Sequence, residues 1–287
     1  MREKALFGPA GTCERAAAEK IKTTEKYIEW LCANGADAFE YQCGRGVNIK
    51  EEKARIIGKK AADHKIALSV HAPYYISLAS AEEEKRDNSI RYILDSARAA
   101  SWMGAERIVV HPGGIGKMSR EDAYALAETT LRRALEAVRA EGLDTIICPE
   151  VMGKINQLGD LSEVLRFCSI DESLIPCVDF GHLNSRLHGE MDYKKALDEI
   201  FSALGEDRAR LLHIHFSKIE YSKGGEVRHL TFADTQFGPD FEPLIDEIVS
   251  RNMTPTVICE SAGTQTDDAL SMKRLYVAQT EKGDVLS

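Results

Sequence analysis

The chain has 287 residues, 44% of them hydrophobic and 29% charged, with a formal net charge of -9. This is the composition of an ordinary soluble globular protein: no apolar run approaches the ~18 residues of a membrane span, and the acidic balance argues against a broad basic surface for nucleic acid. Barrels of alternating strands and helices commonly reach ~250 residues or more as one unit, so a single domain over residues 1–287 is expected.

In chain order, the first segment, Met1-Arg2-Glu3-Lys4-Ala5-Leu6-Phe7-Gly8, has no secretory apolar core and runs straight into a strand, which gives the expectation of a cytoplasmic protein with no membrane contact. Short apolar, β-branched runs bounded by turn residues then recur at 5–9, 38–43, 66–72, 107–112, 145–150, 176–182, 211–216 and 255–260. Amphipathic stretches of helical period separate them, among them 16–33, 81–103, 120–140, 193–204 and 241–252. The cysteines Cys13, Cys32, Cys43, Cys148, Cys168, Cys177 and Cys259 include no CxxC pair and fall mostly within apolar patterns, so they read as buried reduced thiols.

Eight strands alternating with helices suit either an open doubly wound sheet or a closed barrel. The polar residues decide between them. The third to eighth runs end on His71, His111, Glu150, Asp179 with His182, His215 and Glu260. In a closed (β/α)8 TIM barrel the C-terminal strand ends share one mouth and these side chains converge. An open sheet would scatter them over roughly 25 Å, at about 4.8 Å per strand.

Each residue has a chemical reason to be there. His71 in Val70-His71-Ala72-Pro73-Tyr74 and His111 in Val110-His111-Pro112-Gly113-Gly114 both end an apolar strand at a Gly/Pro loop. Neutral imidazole is the commonest metal ligand. Glu150 and Glu260 each place a carboxylate after a buried strand, where an unpaired charge costs several kcal/mol. No Lys or Arg ends these strands, which favours a metal as the partner. Asp179-Phe180-Gly181-His182 sets two more ligand types across a tight turn. His213 shares a face with His215 but lies one layer deeper and reads as a hydrogen-bonded core histidine. His229 sits in the long loop after the seventh strand, while His64 and His188 have helix and surface-loop contexts. Four histidines, two glutamates and an aspartate exceed what one ion needs, since zinc usually takes four ligands. At least two ions are implied.

This order of residues resembles the endonuclease IV family of trinuclear zinc apurinic/apyrimidinic endonucleases, and the likeness runs from Phe39 to Glu260. The resemblance implies a first metal held by His71, His111 and Glu150, with Glu150 bridging to a second held by Asp179, His215 and Glu260. The third metal of that family uses the histidine matching His182 and an Asp-x-His pair whose second member matches His229. Here the aspartate position reads Val227, which leaves two protein ligands unless Glu226 or water completes the set. Asp-Phe-Gly-His at 179–182, His-Phe-Ser-Lys at 215–218 and Phe-Gly-Pro-Ala-Gly at 7–11 also depart from the family pattern.

The resemblance further implies Glu150 and Glu260 as catalytic carboxylates, Arg45 and Tyr74 as substrate contacts, and Zn2+, with Mn2+ or Fe2+ as substitutes, in two or three sites. The implied reaction is zinc-dependent hydrolysis of the phosphodiester 5′ to an abasic site in damaged duplex DNA, with Arg45, Lys154, Lys218 and Arg228 as candidate phosphate contacts and no obligate protein partner. Two or three divalent cations would add roughly four to six positive charges at the DNA-facing mouth, which softens the objection from net charge. The alternative is a xylose-isomerase-like sugar isomerase or epimerase using one divalent metal on Glu150, Asp179, His215 and Glu260. A non-catalytic metal-binding barrel is the third reading. His71, His111 and His229 discriminate, because a one-metal isomerase does not need them.

Overall fold

A computed structural model describes residues 3–286; Met1 and Arg2 of the opening segment lie outside the described residues. Ten short strands are present among them: β1 Leu6–Pro9, β2 Ala38–Gln42, β3 Ala67–His71, β4 Arg107–Val110, β5 Ile146–Pro149, β6 Cys177–Asp179, β7 His213–Phe216, β8 Ile219–Ser222, β9 Gly225–His229 and β10 Thr256–Cys259. Two parallel sheets, β2-β3-β4-β5 and β1-β10-β7-β6, meet at both seams through the bridges Ala10↔Glu40 and Glu150↔Cys177. The eight parallel strands therefore close into a barrel. At the first seam a side chain at residue 8 would fall 1.8 Å from the Ala38 carbonyl oxygen, so the approach of β1 to β2 requires Gly8.

The helices around the barrel owe their place to period and to small residues. In Glu83–Met103 the buried positions Ser89, Ile93, Ala97, Ala100 and Met103 recur every three or four residues, and Gly104 at φ 66 ends the helix. Most of the apolar core lies between these helices and the outer faces of the strands, whereas the barrel interior carries only a small apolar cluster of Val109, Cys148, Ile175 and Cys177. Buried polar residues, Glu40, Ser69, Arg107, His213 and Thr256, share that interior. Branched apolar layers usually fill such barrels.

All eight expected strands appear, each one shorter than its apolar run. Three differences have local causes. The stretch 16–33 is two helices, Glu14–Ala18 and Thr24–Ala33, because Lys20 adopts φ 61 and Thr23 caps the second. The strand read as 176–182 stops at Asp179, whose carboxylate accepts from the His182 N–H at 2.7 Å and starts the helix Phe180–Arg186. The loop after β7 contains an antiparallel hairpin, β8 with β9. All seven cysteines are free, and all but Cys32 are buried. No described helix is long and apolar enough to cross a membrane.

Candidate metal centre

Strand alternation aims His71, His111, Glu150, Asp179, His215 and Glu260 into the C-terminal mouth from six different strand ends. There they meet around a cavity of about 420 Å³ lined by His71, His111, Glu150, His182, Glu226, His229 and Glu260, with Asp179 and His215 buried beneath. Glu150 is the hub. Its Oε2 lies 2.9 Å from His111 Nε2 and 3.4 Å from His71 Nε2. Its Oε1 faces the other way, 3.2 Å from His215 Nδ1 and 3.5 Å from His182 Nδ1. His215 Nδ1 is also 3.5 Å from Glu260 Oε2.

Three of the five donor sets whose ligand atoms lie within 4.8 Å of one another combine the residues that line the mouth: His71, His111 and Glu150; Glu150, Asp179, His215 and Glu260; and His182, Glu226 and His229; the other two, Cys177 with His213 and His215, and Glu40 with His71 and Glu260, reach one layer deeper. The first two share Glu150, the position a bridging carboxylate must hold.

The rings are held in metal-binding orientations by groups behind them. A carbonyl only accepts, so His71 Nδ1 donates to Ala72 O at 2.8 Å and His182 Nδ1 donates to Val151 O at 3.0 Å. Burial would lower both imidazoles, but Glu150 raises His71, and Asp179 with Glu150 raises His182 to about 10, so a metal ion would displace the Nε2 proton and take the lone pair facing the cavity. His229 Nδ1 bonds Ser217 Oγ at 2.8 Å, which turns its Nε2 towards Glu226. Such outer partners are what orient metal-binding imidazoles. Two buried carboxylate oxygens, Glu150 Oε2 and Asp179 Oδ2, make no well-aligned hydrogen bond and face only imidazoles, His111 at 2.9 Å and His182 at 3.3 Å. A divalent cation satisfies an orphaned buried carboxylate oxygen where a neutral donor is missing. The residues present therefore fit the implied metals.

The third set departs from the pattern expected from the sequence. Tyr221 pairs with Glu226 and Glu220 with Arg228, so Val227 is the extra residue of a β-bulge. A bulge reverses side-chain alternation beyond it. Glu226 consequently joins His229 on the inner face, with Glu226 Oε2 3.5 Å from His182 Nε2, while Val227 is 50% exposed. Two glycines permit this approach: a Cβ at Gly153 would lie 2.6 Å from Glu226 Cβ, and one at Gly225, φ +88, would lie 2.2 Å from Gly153 O.

Glu40 was not singled out by the sequence, although it is fully buried on β2. Its Oε1 lies 3.1 Å from His215 Nε2, while Oε2 bonds His213 Nε2 at 2.9 Å and accepts from Ser69 Oγ at 2.9 Å. Burial would raise the Glu40 carboxyl, but the His215 and His213 imidazoles hold it well below the ordinary carboxylate value. Burial drives His213 down to about 4, so it is neutral and donates to Glu40. His213 is a core histidine, as read from the sequence. The signal for Glu40 was a charged residue inside the apolar run 38–43, the only carboxylate facing into the lower barrel on that strand. Glu40→Gln keeps the shape but removes the charge behind His215. We expect divalent-metal affinity to fall about 10–100-fold, measured by competition with a chromogenic chelator; unchanged affinity in a folded variant would exclude this support.

Tyr74 lies tilted against the cluster, its ring centroid 5.1 Å from that of His71 and 5.5 Å from that of His111, and its hydroxyl donates to Gln42 at 2.9 Å. Arg45 is exposed in a groove beside Tyr74, outside the metal cavity. Of the four candidate phosphate contacts only Lys154 lines that cavity. Lys218 donates to Asp234 O at 2.6 Å, and Arg228 pairs with Glu220 at 2.7 Å on the outer side of the hairpin. Those two are committed elsewhere.

Fold and site together define a closed, parallel (β/α)8 barrel with clustered histidines and carboxylates at its C-terminal mouth. The chain belongs to the xylose isomerase-like TIM barrel family, which its sequence matches over residues 28–276. It is 35% identical over 272 residues to an uncharacterised protein of Methanocaldococcus jannaschii, covering 93% of this chain and 96% of that one. It is 28% identical over 195 residues to the "Probable endonuclease 4" of Mycoplasmoides gallisepticum, a stretch covering 66% of this chain and 62% of the relative. Among solved structures it resembles a D-tagatose 3-epimerase-like protein, at TM-score 0.72 and 19% identity over 97% of this chain and 99% of that one. It also resembles endonuclease IV of Thermus thermophilus, at TM-score 0.68 and 20% identity over 97% and 99%. At such identities the structural likenesses bear on the fold alone.

Proposed function

We propose that the protein is a divergent endonuclease IV-like phosphodiesterase that holds zinc ions in its three donor sets and cleaves duplex DNA on the 5′ side of an abasic site. The observation that carries this reading is the sharing of Glu150 between two donor sets, with a third set, His182, Glu226 and His229, on the wall of the same cavity. Divalent cations bound there would polarise the phosphoryl oxygen, lower the pKa of a water towards ~7 and stabilise the leaving oxygen. The chain's own residues do the rest. Glu150, buried and ionised, fixes the spacing of the first two sets. Tyr74, 55% exposed above His71 and His111, offers an aromatic face to a nucleotide. An abasic nucleotide has no base to unstack, so its entry into a deep mouth costs comparatively little.

One observation favours a second reading, a single-metal sugar isomerase or epimerase: Glu150, Asp179, His215 and Glu260 already make a four-ligand set. His71, His111, His182, Glu226 and His229 would then have no chemical task, which weighs against it. The deciding assay incubates metal-loaded protein with a duplex carrying one tetrahydrofuran abasic analogue and, separately, with a panel of ketoses and aldoses. Incision 5′ to the analogue, leaving a 3′-hydroxyl, is expected. Sugar interconversion that Glu260→Gln abolishes, without strand incision, would replace the nuclease with the isomerase.

A further inference from the structure

A second cavity, of about 390 Å³, lies at the opposite end of the barrel. Its lining includes Ala67, Arg107, His213 and Thr256, the first residues of β3, β4, β7 and β10, so it opens at the N-terminal face. Such faces ordinarily serve stability, with no ligand. This one holds a buried cation whose donors are only partly met, with the Glu106 carboxylate in the same lining. Arg107 is 4% exposed, yet its Nε and Nη1 have no hydrogen-bond partner among the described residues. A guanidinium carries five N–H donors and stays protonated, and burying it unpartnered costs several kcal/mol. His213 Nδ1, in the same lining, is a second buried polar atom without a partner.

The two atoms ask for different things. Arg107 needs anionic oxygens. His213 Nε2 donates to Glu40 Oε2, an oxygen that also accepts from Ser69 Oγ, which leaves Nδ1 as the acceptor side of the ring, facing the cavity without a partner. A ligand that meets both is an oxyanion that also bears a hydroxyl.

We propose that the N-terminal cavity is a binding site for a small tetrahedral oxyanion of the hydrogen-phosphate type, with its charged oxygens on Arg107 and its hydroxyl donating to His213 Nδ1. Trp102 and Lys59 stand in the same lining, the former as a built-in reporter. Sulfate, fully ionised at neutral pH, offers no donor to His213 and should bind more weakly than phosphate. The site lies at the other end of the barrel from the metal cavity, joined to it through Glu40, and its existence does not depend on what that centre catalyses.

The chain has two tryptophans, Trp30 and Trp102, so Trp30→Phe leaves Trp102 as the only one. In that background, holoprotein titrated with inorganic phosphate at constant ionic strength should show a saturable change in Trp102 emission. Sulfate should require at least about tenfold higher concentration, in keeping with the loss of one buried hydrogen bond to a charged ligand, and Arg107→Leu should abolish the response. A crystal of the unmutated protein soaked in arsenate, which matches phosphate in shape and protonation, locates the anion by anomalous scattering without relying on any variant. A peak against Arg107 supports the site. No saturable response together with no arsenate at Arg107 would mean that water alone meets the guanidinium, and equal affinity for sulfate and phosphate would remove the hydroxyl from the assignment.

Discussion

Glu150→Gln will give a folded protein that binds fewer divalent ions per chain and turns over substrate about 10²–10⁴ times more slowly, the kinetic equivalent of the roughly 3–5 kcal/mol lost when one member of a buried charged set is removed. Glu150 is fully buried, with one oxygen facing His71 and His111 and the other facing His215 and His182. Burial alone would raise its carboxyl, but His111 and His215 hold it well below the ordinary range, so the folded protein keeps it ionised. Glutamine preserves the volume while replacing one acceptor oxygen with an N–H2 group that points at cations. Elemental analysis of the purified variant, beside single-turnover rates on abasic duplex, reads both effects. Full metal content with near-normal turnover would show that Glu150 bridges nothing.

The second large effect is expected at the hairpin. Glu226→Ala will lose one ion per chain, because His182 and His229 alone cannot complete a site, whereas Val227→Ala will lose none. A sharper form uses Val227→Asp in the Glu226→Ala background. The family pattern alone says that an aspartate two residues before His229 should restore the site. The β-bulge turns residue 227 outward, so the structure says that it should not. Restored stoichiometry in the double variant would mean that the hairpin in solution lacks the bulge. Metal content by elemental analysis decides the point directly, and thermal denaturation with and without chelator checks that each variant remains folded.

Much of this was legible in the amino-acid order, for identifiable reasons. The eight apolar runs mark all eight barrel strands because a strand buried on both faces must be apolar along its length. His71, His111, Glu150, Asp179, His215 and Glu260 stand out because a polar residue at the end of such a run has to be paired with something. Their convergence follows from closure of the barrel. Even His182, whose strand proved to be a helix, lands beside its expected neighbours, since the Asp179 cap fixes the turn in which it sits.

What escaped the sequence depends on neighbours that are distant along the chain. Glu40 matters only because β2 lies across the barrel from β7, bringing residue 40 against 213 and 215, and nothing local to 38–43 announces that contact. Lys218 and Arg228 looked available for phosphate until Asp234, Asp240 and Glu220 claimed them. Arg107 read as the first residue of a strand, and the unmet Nε and Nη1 donors it carries inside the barrel depend on every strand around it. The choice of Glu226 over Val227 rests on one unpaired residue in a two-stranded hairpin. The sequence by itself determined the barrel and the donors at its strand ends, because period and burial are local constraints. Tertiary structure alone decided which donors share an ion and which charges are already paired, because those depend on register across strands, and a shift of one residue moves a side chain to the opposite face.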